Sequence, residues 1–254
     1  SMTRVIKKTD KTPDFDSFPM GKKIQYPFIQ AVHRWNNRAF TEASEIIATN
    51  EFDASITRDT FGQEPQILHI PVPLTEFETE SGSESSITLV NPRDSNKGLD
   101  TFLQIAQRLS EQEFLIAGSL YDDSSESTIN EMSNVTYLGW CSDMASVYAK
   151  TKLLLVPSTY QEGGPRVIIE AFADGIPAIG SDIGGIPDYI GDGGDVIEDY
   201  TNPEAWVTTI KQYTSDTQYY EQKSRCARQR SQLFDHELIV DEFTRILRNT
   251  LAES

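Results

Sequence analysis

From residue 86 onward, the pattern of apolar and polar residues alternates regularly between two periods. Short apolar runs are typical of buried strands, and apolar residues three or four positions apart are typical of amphipathic helices. The predicted strands are Ile87–Val90, Phe114–Ala117, Val135–Leu138, Leu153–Val156, Pro177–Gly180 and Asp195–Ile197. Because strands that alternate with helices of roughly ten residues form βαβ units, the sequence predicts an α/β fold with a doubly wound parallel sheet.

The stretch from Leu153 to Ala178 combines a predicted strand, a glycine-rich turn at Gly163 and Gly164, and a short helix. Pro165 stands where the helix begins, because the fixed φ of proline suits the first helical position. Gly175 stands where the helix ends. Since the peptide N–H groups at such a helix start point toward anions, we predict a ligand at this turn.

Before residue 86 the pattern is weaker. It predicts a possible strand at Ile24–Ile29, helices at His33–Ala48 and Phe52–Phe61, and a strand at Gln66–Ile70. The acidic, serine-rich residues 76–86 are typical of a linker. We therefore predict a boundary between a short, incomplete N-terminal α/β segment with its linker, residues 1–83, and a ligand-binding domain, residues 84–254. The tail from Pro203 to Leu251 is predicted as amphipathic helix, its last part packing back on the N-terminal segment.

Charge and cysteine content narrow the function classes. The 39 acidic and 22 basic residues give a formal net charge of −17, which repels nucleic acid and argues against a nucleic-acid partner. The two cysteines, Cys141 and Cys226, show neither metal-binding spacing nor a disulfide framework. No apolar run is long enough for a transmembrane segment. We expect a cytoplasmic protein that could act at the membrane periphery, with no bound metal.

Two cations follow the first strand of the larger predicted domain. Arg93 and Lys97 lie between that strand and the next predicted helix. A forked guanidinium beside a point-charge ammonium suits a diphosphate. The alternative is a pair of solvated surface cations.

Two carboxylates bracket the glycine-rich turn, Glu162 and Glu170, with seven residues between them. Glu170 falls between Ile169 and Ala171 on a helix that is otherwise apolar. A carboxylate in such a position needs hydrogen-bond donors, and the vicinal hydroxyls of a sugar or a ribose would supply them. The alternatives are an exposed helix face for Glu170 and a solvated loop for Glu162.

Further candidates follow two other strands. Trp140, Cys141 and Asp143 come after Val135–Leu138, where an aromatic ring and a carboxylate could border a nucleobase. The alternative is a helix-capping Asp143 beside a core Trp140. The Gly184-Gly185 turn could face an anion or a sugar, a weak indication by itself.

Taken together and in order, these motifs resemble one family. They are Asn91-Pro92-Arg93 with Lys97-Gly98, Val135–Trp140, Val156-Pro157-Ser158, Glu162–Ala171, Gly175-Ile176-Pro177 and Gly184–Pro187. Over about Ser86 to Asp199, the chain resembles the donor-binding half of the family-4, glycogen-synthase-like retaining glycosyltransferases of the GT-B fold. The resemblance implies a Rossmann-like C-terminal domain.

The resemblance also implies a nucleotide-diphosphate-sugar donor, UDP- or GDP-linked, and metal-independent hexosyl transfer with retention. Arg93 and Lys97 match the cations that hold the diphosphate, and Glu162 matches the glutamate near the hydroxyls of the transferred sugar. Glu170 matches the glutamate that binds the ribose hydroxyls. The remaining donor-binding positions are Gly163, Gly164 and Pro165 in the turn and Trp140, Cys141 and Asp143 in the loop next to the base.

The chain departs from the family pattern in three ways. Pro92 stands where many members have glycine, and Gly164-Pro165 replaces the commoner Phe-Gly. Only about eighty residues precede the donor half, which predicts a truncated acceptor domain. We therefore expect transfer to a glycan, lipid-linked or protein acceptor, by this chain alone, as a homodimer or with a second polypeptide. The alternative is a non-catalytic nucleotide-sugar-binding subunit; a GT-B epimerase would need acid and base residues that the sequence does not offer.

Overall fold

The computed structural model describes residue 35 and residues 37–77, 85–122 and 124–253. The chain divides into two compact units, Ser1–Leu68 with Glu242–Ser254, and His69–Asp241. The predicted strand at Ile24–Ile29 and the predicted boundary at residue 83 lie outside the described residues.

The first unit contains helical residues 37–42, strands β1 (Ile47–Ala48) and β2 (Gln66–Ile67), and helix α1 (Glu51–Phe61). The side chain of Asn50 accepts a hydrogen bond from the backbone N–H of Asp53 at 2.8 Å and caps the start of α1. Gly62 ends α1 in the left-handed conformation, with φ of 65°. The predicted helix Phe52–Phe61 is thus confirmed.

The prediction of one helix over His33–Ala48 is wrong in its second half. The helix ends at residue 42, and Ile47–Ala48 forms the parallel strand β1 beside β2. The backbone N–H of Gln66 donates to the carbonyl of Ile46 at 2.8 Å. Backbone groups of residues 46–48 therefore bond to β2 and do not form helical hydrogen bonds. The apolar residues Trp35 and Ile47, whose spacing suggested one buried helical face, are both exposed.

The second unit is built on one parallel sheet of six strands. The strands are β3 (Ser86–Val90), β4 (Phe114–Ala117), β5 (Val135–Tyr137), β6 (Thr151–Val156), β7 (Ala178–Ser181) and β8 (Gly194–Ile197). Their order in the sheet is β5-β4-β3-β6-β7-β8, and every neighbouring pair is parallel. This is the doubly wound order, so the predicted α/β fold is confirmed.

Helices cover both faces of this sheet. They are α2 (Leu99–Arg108), α3 (Ser124–Asn130), α4 (Ala145–Tyr148), α5 (Arg166–Ala173), α6 (Ile186–Ile190), α7 (Pro203–Ser215) and α8 (Thr217–Ser231). The last helix, α9 (His236–Glu253), begins in the second unit and continues into residues of the first. Successive residues of a strand point to opposite faces. Accordingly Leu153 and Leu155 belong to one buried cluster, with Phe102 and Trp206, while Leu154 and Val156 belong to another.

Two helical regions differ from the predictions. Helix α3 has no predicted counterpart, because its sequence is polar and Ile129 is its one buried apolar side chain. The predicted helical tail is divided into α7, α8 and α9. The division between α7 and α8 falls at Asp216, whose carboxylate accepts from the backbone N–H of Tyr219 at 3.0 Å. No helix in the described part of the chain is long and apolar enough to cross a membrane.

Candidate active site

The order of the strands reverses between β3 and β6, which is where ligands bind in such sheets. The loops that follow these two strands are hydrogen-bonded and closely packed against each other. The backbone N–H of Thr159 donates to the carbonyl of Asn96 at 2.8 Å. Gly98 lies so close to Pro157 that a Cβ atom at Gly98 would stand 1.9 Å from the Pro157 carbonyl oxygen. A glycine at position 98 therefore lets the two loops meet.

This junction brings Lys97 and Glu162 into contact. Lys97 Nζ lies 2.6 Å from Glu162 Oε2, and the Glu162 side chain is only 6% exposed whereas that of Lys97 is 26% exposed. The hydroxyl of Ser158 donates to the other carboxylate oxygen of Glu162. Lys97 Nζ also lies 5.4 Å from the centre of the Tyr160 ring. Glu162 is thus a buried, charge-paired carboxylate and not a solvated loop residue.

The Gly184-Gly185 turn packs against the backbone of Glu162. The backbone N–H of Gly185 donates to the Glu162 carbonyl at 2.6 Å. A Cβ atom at Gly184 would stand 2.6 Å from that carbonyl oxygen, and Gly184 has φ of 64°. A Cβ atom at Gly164 would likewise stand 2.3 Å from the hydroxyl oxygen of Tyr189. Close packing within the protein therefore requires both Gly184 and Gly164, while Gly163 is exposed.

Arg93 is exposed on the loop that follows β3. Its guanidinium forms no hydrogen bond or ion pair with the residues that the structure describes, and its backbone N–H donates to the Asn91 carbonyl at 2.8 Å. Next to it, Asp94 caps the short turn Ser95–Lys97 by accepting from the Asn96 N–H at 2.8 Å. The hydrogen bonds from Asn96 lower the pKa of Asp94, and the charge of Lys97 contributes to the shift.

Glu170 lies on α5 with its side chain 12% exposed, so it does not occupy an exposed helix face. The hydroxyl of Tyr148 donates to Glu170 Oε2 at 2.8 Å. An Arg166 guanidinium nitrogen lies 3.7 Å from Oε1. Burial raises the pKa of Glu170, and the hydrogen bond from Tyr148 and the charge of Arg166 act in the opposite direction. The predicted first helical residue, Pro165, is extended and α5 begins at Arg166.

The loop after β5 lies beside the end of β4, since the Gly118 N–H donates to the Gly139 carbonyl at 2.7 Å. Trp140 is 75% exposed and is therefore not a core residue. Asp143 accepts from the Ser146 N–H at 3.3 Å, as in the alternative interpretation, although the residue directly before α4 is Met144. The thiol of Cys141 contacts the Gly139 carbonyl at 3.5 Å.

The predicted residues thus form three separate groups. Lys97 and Glu162 are in contact, Glu170 is bound to Tyr148, and Trp140, Cys141 and Asp143 lie on the loop before α4. Among the described residues, no hydrogen bond or ion pair joins the side chains of this loop to the Lys97–Glu162 pair. Nor do the described histidine, cysteine, aspartate and glutamate residues include a group of three or more that could hold a metal ion.

Two residues of the site were not predicted from the sequence, Ser158 and Tyr148. The sequence could have indicated Ser158, because a polar residue just after a buried apolar run stands at the carboxyl end of a strand, where ligands bind. Nothing in the sequence indicated Tyr148, because its partner Glu170 lies 22 positions later in the chain.

The raised pKa of Glu170 predicts a pH-dependent effect of Glu170→Gln. A carboxyl group whose pKa is raised on folding loses its contribution to stability as the pH rises from its ordinary pKa of 4.5 through the raised value. The glutamine keeps an acceptor for Tyr148 and cannot ionise. We expect the free energy of unfolding of the variant, relative to that of the unsubstituted chain, to increase as the pH of the urea titrations rises above 4.5 and through the raised pKa.

The matched control is Glu221→Gln, which removes a carboxylate from the exposed surface of α8. If both variants show the same pH dependence relative to the unsubstituted chain, burial of Glu170 is not the cause.

Several solved structures share this fold. The chain matches sucrose-phosphate synthase from Thermosynechococcus elongatus with a TM-score of 0.74 at 20% identity, over 100% of this chain and 67% of that one. It matches Alr3699/HepE from Anabaena, solved in complex with UDP, with a TM-score of 0.76 at 17% identity, over 94% of this chain and 71% of that one. At these identities the likeness shows the fold, the GT-B fold of glycosyltransferases.

Curated relatives match shorter segments. A protein of the cps region of Klebsiella pneumoniae is 30% identical over 112 residues, which are 42% of this chain and 30% of that protein. The D-inositol 3-phosphate glycosyltransferase of Corynebacterium kroppenstedtii is 35% identical over 75 residues, 29% of this chain and 16% of that enzyme. The matched segments thus span less than a third of these relatives.

A family model described as glycosyl transferases group 1 matches residues 86–216 of the 254-residue chain. The match covers more than half of the chain. It begins at β3 and includes every candidate site residue from Arg93 to Glu170. The chain therefore belongs to the glycosyl transferases group 1 family.

Proposed function

We propose that the chain binds a nucleotide-diphosphate-sugar donor at the carboxyl ends of β3 and β6 and transfers its sugar with retention of configuration, as in family-4 enzymes. The observation that carries the proposal is the buried contact between Lys97 and Glu162 at the point where the strand order reverses. A cation and a carboxylate fixed at this place suit a ligand that has an anionic diphosphate joined to a hydroxyl-rich sugar.

Lys97 is arranged in advance for this ligand. An ammonium group has three N–H donors, and the bond to Glu162 at 2.6 Å fixes its position while leaving donors for a phosphate oxygen. Arg93, exposed on the same loop, would supply a second cation. Because the Lys97 ammonium is in place before the donor binds, it stabilises the charge that develops on the leaving diphosphate with little further reorganisation.

The proposed reaction needs no enzyme nucleophile. The acceptor hydroxyl forms a bond to the anomeric carbon on the face from which the diphosphate leaves, and the bond from that carbon to the phosphate oxygen breaks. The acceptor proton passes to a phosphate oxygen. Glu162 would bind hydroxyls of the transferred hexose, the exposed residue Gly163 would lie against the sugar or phosphate, and Glu170 would bind the ribose.

The acceptor in this proposal is a glycan, a lipid-linked glycan or a protein. Reaction takes place in the cytoplasm, or at the membrane surface when the acceptor is lipid-linked. The chain acts alone, as a homodimer or with a second polypeptide. The complexes of Alr3699/HepE with UDP and with UDP-glucose support a uridine nucleotide as the first donor to test.

We expect millimolar UDP, GDP or ADP to raise the melting temperature of the chain. A ligand that binds the folded chain alone stabilises it by about 2.7 kcal/mol at a hundred times its Kd, which shifts melting by several degrees in a domain of this size. The measurement is thermal unfolding with each nucleotide at fixed ionic strength, with the matching nucleoside as control. No shift with any of the three diphosphates contradicts the proposal.

The matching UDP- or GDP-sugar, incubated with the chain in the presence of a metal chelator, then tests turnover. We expect release of the nucleotide diphosphate, either by slow hydrolysis or by transfer to an added acceptor. Binding without release of the diphosphate, restored by a second polypeptide, would favour the non-catalytic subunit.

A further inference from the structure

The phenol of Tyr148 is a buried polar group that the proposed mechanism does not use. Tyr148 is the last residue of α4, and its side chain is 0% exposed. Its hydroxyl donates to Glu170 Oε2, on helix α5, at 2.8 Å. The hydroxyl thus directs its one donor at a carboxylate for which the proposed function already has a role.

The ring of Tyr148 is held in place on its other sides. The ring of Phe77 packs edge-on against it, with 6.0 Å between the ring centres. The backbone N–H of Tyr148 donates to the Met144 carbonyl at 3.0 Å. Ile168 and Ile169, the residues just before Glu170, belong to the same buried cluster as the ring. The hydroxyl therefore meets the carboxylate from a fixed direction.

Among the residues that the structure describes, this contact leaves one side of the Glu170 carboxylate available. A carboxylate can accept about four hydrogen bonds, and Tyr148 occupies Oε2. At Oε1, the nearest Arg166 nitrogen lies 3.7 Å away, beyond hydrogen-bond distance. Burial raises the pKa of Glu170, which is the expected effect of a buried carboxylate with too few donors. Two hydroxyls of a ligand would provide the missing donors.

We propose that Tyr148 is a positioning residue that fixes the rotation of the Glu170 carboxylate so that it accepts hydrogen bonds from both hydroxyls of the donor's ribose. The inference rests on the proposed function, in which Glu170 binds the ribose. It adds that selection of a ribonucleotide over a nucleotide without these hydroxyls depends on a phenol that touches neither the nucleotide nor the sugar. The phenol acts through Glu170 alone.

The test compares a nucleoside diphosphate with its 2′,3′-dideoxy counterpart. The nucleotide is whichever of UDP, GDP and ADP the unsubstituted chain binds best, and calorimetry gives both dissociation constants. We expect the unsubstituted chain to prefer the ribonucleotide and Tyr148→Phe to reduce that preference by about tenfold. The affinity for the dideoxynucleotide should change little, because the phenylalanine fills the same volume.

Tyr213→Phe is the matched control for the loss of a buried phenol. Tyr213 is 1% exposed, and its hydroxyl donates to Asp195 Oδ2 at 2.5 Å. Asp195 stands near the start of β8, whereas the candidate site follows the carboxyl ends of the strands. Both variants lose a hydrogen bond to a carboxylate, so both should have a lower melting temperature. Only Tyr148→Phe should change the preference for the ribonucleotide.

A double-mutant cycle completes the test. In a Glu170→Ala background, Tyr148→Phe should leave the remaining preference for ribose unchanged, because the two residues act as one unit. If the unsubstituted chain binds no nucleoside diphosphate, the proposed function fails and this inference fails with it. If the chain prefers the ribonucleotide and Tyr148→Phe keeps the full preference, the proposed function stands and the role of Tyr148 is refuted. Equal binding of both nucleotides by the unsubstituted chain also refutes it.

Discussion

Lys97→Ala is expected to abolish binding of the nucleoside diphosphate and to lower the free energy of unfolding as well. The substitution removes the cation that we place on the diphosphate. It also leaves Glu162, which is 6% exposed, without its charged partner. Breaking a fully buried ion pair costs about 3–5 kcal/mol, and we expect about 2 kcal/mol for this pair because Lys97 is partly exposed. Urea unfolding and calorimetric titration with UDP measure the two effects separately.

Two variants separate the loss of binding from the loss of stability. In Lys97→Ala with Glu162→Gln, the neutral amide removes the unpaired charge, so stability should largely return while binding stays absent. Arg108→Ala breaks an exposed ion pair with Glu204 on the same unit, which should cost at most about 1 kcal/mol. It should leave nucleotide binding unchanged. If binding and stability recover together in the double variant, Lys97 has only a structural role.

Gly98→Ala is expected to destabilise the second unit strongly although it adds a single methyl group, with a cost of about 3 kcal/mol or more. Gly98 has φ of 77°, and its added Cβ would lie 1.9 Å from the carbonyl oxygen and 2.6 Å from the carbonyl carbon of Pro157. Both contacts are with backbone, so neither can be relieved by turning a side chain. The two loops that carry Lys97 and Glu162 would have to separate.

Gly139→Ala is the matched control, because it separates the backbone conformation from the steric clash. Gly139 has φ of 68°, and a Cβ atom there meets nothing within 4 Å. The left-handed conformation alone costs about 1 kcal/mol for alanine. Urea unfolding of both variants gives the difference. Equal destabilisation would mean that the contact with Pro157 is unimportant.

The sequence predicts the centre of the second unit's sheet well because β4 and most of β6 are continuous apolar runs. In a parallel sheet that is covered on both faces, a strand such as Leu153–Val156 is apolar at every position, and such a run between turn residues has few other interpretations. The amphipathic spacing of α2 is equally clear, since Leu99, Phe102 and Ala106 face the core. These elements depend on local patterns, which a single sequence contains.

Elements that depend on distant partners could not be predicted in this way. The strand at Ile47–Ala48 forms because β2 supplies hydrogen bonds, although the local spacing favours a helix. Helix α3 has no apolar period that would predict it. Its start is set by Asp122, whose carboxylate accepts from the Ser125 N–H at 2.8 Å. In both cases hydrogen bonding outside the apolar pattern decides the structure.

In the candidate site, too, the positions of the residues follow from local sequence patterns, whereas their contacts depend on residues distant in the sequence. That Lys97 and Glu162 lie at neighbouring strand ends follows from the predicted sheet, but their direct contact does not. It depends on Gly98 and on the Gly184-Gly185 turn, whose close packing is visible only in three dimensions. For Trp140 the aromatic character suggested burial beside Asp143 as one alternative, whereas the side chain is exposed.

The division of the chain into units has a consequence for the order of folding during synthesis. The second unit is continuous, from His69 to Asp241, whereas the first combines the beginning of the chain with its last residues, from Glu242 onward. A ribosome therefore completes the whole second unit before the first unit has all of its sequence. Because domains fold as units while synthesis proceeds, we expect the second unit to fold before the first.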